Sequence, residues 1–122
     1  MIVWPPELCR VYQRARVCLN PHRGGSWHAN PAGLKALGVN PRLFEIAGTG
    51  AFQLTDERVE MRRFFDPDVA GFRDAEDCRG KLADWLGRET ERKAMAEKAR
   101  KRALAEHTWR HRARTLLEWM EA

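Results

Sequence analysis

A chain of 122 residues with a formal net charge of +5 and 43% hydrophobic residues has room for one domain, not for an enzyme with a cleft between two full halves. Its 32% charged residues and mean hydropathy of −0.62 fit a soluble protein, and no run approaches the ~20 apolar residues of a bilayer-crossing helix. Cys9, Cys18 and Cys78 are widely spaced with no C-x-x-C, which disfavours a disulfide framework or a zinc ribbon. Met1 to Pro6 lacks the basic and long apolar regions of a secretory leader, so the expected location is the reducing cytoplasm.

Ile2-Val3-Trp4 reads as the end of a strand. Pro5, Pro6 and Glu7 then start a helix, with proline in the first turn and an acid near the positive end. Leu8, Val11, Tyr12 and Ala15 form the stripe of a helix packed on one side. Residues 16–20 read as a strand ending at Asn20-Pro21. Residues 22–39, with Gly24, Gly25, Gly33, Gly38 and Pro31, read as a long loop, a kind usually functional or disordered. Asn40-Pro41 opens the next helix, an N-cap residue followed by proline at the first helical position. That helix runs to about Ala47 and stops in Gly48-Thr49-Gly50. Residues 51–55 are the next strand, with Asp56 beginning its exit loop, and 69–72 a weaker third. Asp74 caps a helix with Asp77 three residues on, and its apolar face includes Leu82, Trp85 and Leu86. A long helix from 89 to about 106 carries Met95, Ala99 and Ala103. After a break near His107-Thr108-Trp109, a last helix places Ala113, Leu116, Leu117 and Met120 on one face.

This alternation predicts an α/β fold, a short parallel sheet of three or four strands covered by helices. The chain is expected to be one domain over 1–122, with a strand–helix core at 1–87 and two closing helices at 88–122. The positive charge is concentrated in the latter part, where 88–114 holds ten Lys/Arg against four Glu. Such a segment can serve nucleic acid, yet Glu89/Lys93 and Glu97/Lys101 sit at i, i+4 as on a solvated helix face, and no aromatics interleave to stack bases.

Ligands of open parallel sheets sit beyond the carboxyl ends of the strands. Two such ends converge here, Asn20-Pro21-His22-Arg23 and Thr55-Asp56-Glu57-Arg58, with the start of the Asn40 helix between them. The free amides and dipole of that helix start favour an anion. Arg42 in its first turn reads either as a fork for a diphosphate or as a surface arginine bridging to an acid. Glu45 could accept two hydrogen bonds from ribose hydroxyls, or pair with Arg42 at i, i+3. Gly48 and Gly50 allow a close approach to a ligand, and equally a plain helix-to-strand turn. His22, next to Arg23, could contact phosphate or act as an acid, and His28 shares its glycine-rich loop. His107 and His111 have the i, i+4 spacing of a metal pair, but no third ligand is apparent and a helix break falls between them. No G-x-S-x-G, P-loop or G-x-G-x-x-G occurs.

The run NPRLFEIAGTGAFQLTD from Asn40 to Asp56 resembles the donor-site segment of GT-B-fold glycosyltransferases, in the group-1 branch that includes spore-maturation-protein-like (CgeB-type) enzymes. Its flanks agree: Leu8 to Asn20-Pro21-His22, Phe64-Phe65-Asp66-Pro67 to Asp77, and His107-Thr108-Trp109-Arg110-His111-Arg112-Ala113 are similar to that family's neighbouring elements. The resemblance implies the latter part of a Rossmann-like donor domain. Glu45 would hold the ribose of a nucleotide-sugar, and Asn40, Pro41 and Arg42 would take the diphosphate. His22, Arg23 and Gly50 would lie beside the donor, with His22 the one candidate for a catalytic role. It also implies a nucleotide-diphosphate-sugar as substrate with no bound metal and no cofactor. Eight residues before Glu45, where many relatives carry a second glutamate touching the sugar, this chain has Leu37.

The resemblance covers only a donor half, so independent catalysis is not expected. The strand at 16–20 should show an open edge, predicting self-association or a missing N-terminal partner domain. A non-catalytic oligomerisation module and a nucleic-acid-binding protein are the alternatives.

Overall fold

The computed structural model describes residues 5–22, 32–35 and 37–122. Helices and strands alternate among them: α1 (Pro5–Arg14), β1 (Cys18–Asn20), α2 (Arg42–Thr49), β2 (Gln53–Asp56), α3 (Val59–Phe65), β3 (Ala70–Phe72), α4 (Ala75–Leu86), α5 (Glu89–Glu106) and α6 (Trp109–Glu121). The strands are parallel in the order β1-β2-β3, with Cys18 opposite Gln53 and Leu54 opposite Ala70. Parallel neighbours need a crossover, and α2 and α3 supply them. The result is the expected mixed α/β, partial Rossmann-like arrangement, with three strands. The strand stub at 2–4 and most of the glycine-rich loop lie outside the described residues.

Side chains alternate across a strand, and here the two faces of the sheet differ in kind. Leu54 and Ala70, with Phe52, join Ala96 of α5 in an apolar cluster edged by Leu82 and Trp85 of α4. The alternate positions Asn20, Gln53 and Thr55 are polar and also buried, under α2. A second cluster joins Leu43 and Ala47 of α2, Met61 and Phe65 of α3, Val69, and Ala99 and Ala103 of α5. The alanines of α5 let its backbone approach both clusters closely. Fully burying a side chain such as Phe65, Leu43 or Leu54 stabilises by about 1.5–3 kcal/mol.

Local signals explain the helix ends. Asp74 accepts from the Asp77 amide at 2.8 Å, capping α4 as its spacing predicts. Gly50 ends α2 at φ 75°, the left-handed region that glycine reaches at little cost. The α2 helix runs two residues beyond Ala47, and β2 starts at Gln53 rather than 51.

Two expectations are corrected. Residues 59–65 are helical where only an exit loop was expected, because Met61 and Phe65, at i, i+4, are drawn into the core. Of the α1 stripe, Leu8 and Tyr12 are half-buried, with Tyr12 against the core, while Val11 and Ala15 are exposed. The last helix forms as expected, and Leu116, Leu117 and Met120 on it are exposed.

Much of the basic segment is engaged within the fold. Lys93 pairs with Glu89 at 2.6 Å and Lys101 with Glu97 at 3.9 Å, as their spacing predicts. Arg92 is buried, and its guanidinium donates to the Trp85 and Leu86 carbonyls at the end of α4, the latter at 2.9 Å. Arg102 donates to the Asp66 carbonyl, and Arg112 stacks over Phe44 and Phe64 at 5.5 Å each.

Candidate functional site

The start of α2 is held by side-chain amides. Asn40 Oδ1 accepts the Leu43 N–H at 3.1 Å, while the Phe44 and Glu45 amides turn back to the Pro41 carbonyl at 3.0 and 3.2 Å. Proline has no N–H, so among the described residues the Arg42 amide is the first-turn donor without a partner. The helix start is therefore mostly satisfied, with one amide to offer an anion. Asn40 and Asn20 exchange reciprocal amide bonds at 3.0 and 3.2 Å. Asn20 also donates to Gln53, and Gln53 Nε2 donates to the Leu43 carbonyl at 2.9 Å. This polar layer ties the end of β1 and the start of β2 to the beginning of α2.

One stripe of α2 faces away from that layer. Pro41, Phe44 and Glu45 form one wall of a groove of about 610 Å³, and Leu104, Trp109 and Arg112 of α5 and α6 stand on the other. Glu45 is exposed into it and forms no ion pair with Arg42, so the alternative of an i, i+3 pair does not hold. Arg42 does not line the groove. It lies beside Tyr12, whose hydroxyl is pushed up by burial, an effect the Arg42 guanidinium partly offsets. Gly50 stands at the far end of α2, about 12 Å away at 1.5 Å per residue. A Cβ there would meet Arg100 Cδ at 3.1 Å, so this glycine serves as a helix stop against α5 rather than joining the Asn40 end. Arg23 and His28 lie outside the described residues.

His22 arrives at the end of β2. Its amide donates to Asp56 Oδ1 at 2.7 Å, and its ring Nδ1 lies 2.6 Å from the same oxygen. Arg58 Nε donates to the other carboxylate oxygen of Asp56 at 2.9 Å. Burial raises the Asp56 value, but the hydrogen bonds from His22 and then Arg58 outweigh it, and its carboxyl sits below the ordinary range. The His22 ring is only 4% exposed, and Nε2 is buried with no hydrogen-bond partner among the described residues. Such an unsatisfied group costs about 1–3 kcal/mol.

The other two described histidines do different work. His107 packs against Phe44, Phe64 and Phe65, with Nε2 3.2 Å from the Phe64 carbonyl. Burial lowers its value, opposed by that carbonyl. His111 completes a capping box with Thr108 at the start of α6. The two are committed to separate tasks, and among the described residues no three His, Cys, Asp or Glu gather in metal-holding geometry. Cys9, Cys18 and Cys78 are free thiols.

Sequence reasoning placed Asn20 and Asp56 at converging strand ends but missed their roles, along with those of Gln53 and Thr55. The signal available was polar residues at alternate positions of short apolar strands. The chain matches the glycosyl transferase-like family over residues 2–118. It belongs to that family. In this glycosyl transferase-like chain the matched span takes in the groove, the polar layer and the His22–Asp56 pair alike. No curated protein and no solved structure matches it. Among the described residues no helix is long and apolar enough to cross a membrane.

Proposed function

We propose that this chain is the nucleotide-sugar-binding portion of a glycosyltransferase, of the GT-B fold and the spore-maturation-protein-like branch. The observation that carries the reading is Glu45, unpaired and facing a groove of about 610 Å³ one turn from the free Arg42 amide. A carboxylate so placed can accept two ribose hydroxyls, while the α2 start takes the diphosphate through the Arg42 amide. Asn40 and Pro41 set the angle of that helix start. The donor is read as a nucleotide-diphosphate-sugar taken up without metal or cofactor. Transfer itself needs a facing acceptor domain.

Calorimetric titration with UDP- and GDP-sugars tests the reading. Binding of at least one donor is expected, weakened roughly 10- to 100-fold by Glu45→Ala, the scale of losing hydrogen bonds to a charged group. No binding to the wild type, or affinity indifferent to Glu45→Ala, would refute it.

A second reading, self-association, draws on α6, where Trp109, Trp119 and Met120 are exposed, and on β1, which has no second neighbour among the described residues. A tight dimer in sedimentation with no nucleotide affinity would favour it.

A further inference from the structure

The parallel register sets Asn20 beside Thr55, so the chain leaving β1 brings the residue two positions on against the end of β2. That residue is His22, and its contacts decide which ring nitrogen carries hydrogen. The Asp56 carboxylate 2.6 Å from Nδ1 is an acceptor only. Thr55 Oγ1, 3.3 Å from Nδ1, spends its own proton on the Asn20 carbonyl at 2.7 Å, so toward the ring it too accepts. Nδ1 therefore holds the hydrogen, and Nε2 is the nitrogen left to act. Two acceptors and a clamping Arg58, itself 9% exposed, orient a ring whose other nitrogen is buried and bonds to nothing among the described residues. At His107, by contrast, Nε2 meets the Phe64 carbonyl and Nδ1 meets Arg112.

The surroundings favour an anion. The ring lies at the carboxyl ends of parallel strands, and Asn20 joins that point to the capping Asn40 of α2. An imidazole that turns its second N–H to an anion is stabilised from behind by a carboxylate on Nδ1. Resting on the donor-binding reading above, we infer that His22 Nε2 contacts a phosphate oxygen of the donor and that Asp56 and Thr55 are its positioning residues. Because Nε2 is covered, the anion must displace atoms now packed on it.

The test is ¹⁵N-histidine NMR of the full chain, titrated with inorganic pyrophosphate and with UDP. In the free protein His22 should show the Nδ1–H form, and either probe should move Nε2 from a bare toward a protonated signature. Asp56→Asn should weaken UDP roughly 10- to 100-fold and loosen the tautomer. His22→Gln, whose amide can donate in place of Nε2, should retain more affinity than His22→Ala. UDP binding that leaves Nε2 unmoved overturns the dyad while the donor reading stands. A pyrophosphate response with no nucleotide bound supports the dyad and removes the donor reading. Silence to both probes removes both. Should Asp56→Asn fail to fold, the wild-type spectrum still decides, since hydrogen on Nε2 in the free chain overturns the inference.

Discussion

His22 and His107 are buried to nearly the same degree, 4% and 8% exposed at the side chain, yet their surroundings give them opposite characters. Around His107 three phenylalanine rings and a backbone carbonyl make a dry nest that disfavours the imidazolium. Around His22 a carboxylate, a threonine hydroxyl and an arginine clamp fix the ring and leave one nitrogen without a partner among the described residues. Burial alone therefore does not say what a histidine is for. Its partners do.

The floor of the nest is where a substitution should cost most. Phe65→Ala opens a cavity beneath His107 and should lower the unfolding free energy by about 3–5 kcal/mol, read from urea titration. The same variant should let the His107 value rise back toward its ordinary range in an NMR titration. Asp56→Ala acts on the other histidine. It takes the carboxylate acceptor from the buried Nδ1–H, at a cost of about 1–3 kcal/mol at neutral pH in the same assay. The Asp56 contribution is present above the ordinary carboxyl value of 3.8 and is lost as pH falls through the depressed folded one, so Asp56→Ala should flatten that acid limb.

The smallest effect is the pH dependence that His107 contributes. Above pH 6.5 neither folded nor unfolded His107 is protonated, and it adds no pH dependence. As pH falls through 6.5 the unfolded chain takes up a proton that the nest resists. Stability declines until pH passes the lowered folded value. His107→Phe should remove this slope in thermal melts between pH 7.5 and about 5 while changing the neutral-pH midpoint little.

Much of this fold is legible in local signals. The Asp74/Asp77 cap, the Asn40-Pro41 start and the 89–106 helix come from residues a few positions apart. The α3 helix escaped notice because it has two turns and no side-chain cap at Arg58, leaving only the Met61/Phe65 spacing as a sign. The α6 stripe is real but finds no partner among the described residues. At the site, Glu45 and Asn40 were visible for the same local reason, whereas the direct pairing of His22 with Asp56 was not. They are 34 positions apart, and only the register between β1 and β2 brings them into contact. Gly50 uses its freedom to end α2 in the plain helix-to-strand turn that its sequence equally allowed.

Arg92 has a mechanical consequence. Rooted in the first turn of α5 and grasping two carbonyls of α4, it welds the elbow between them. Both bonds leave one nitrogen, Nη1, whose two hydrogens are shared between the Trp85 and Leu86 carbonyls. One arm of the joined pair rests on the Phe52–Trp85 stack at 4.8 Å, and the other reaches the groove at Leu104. An occupant of the groove would therefore touch the same helix pair that carries that stack.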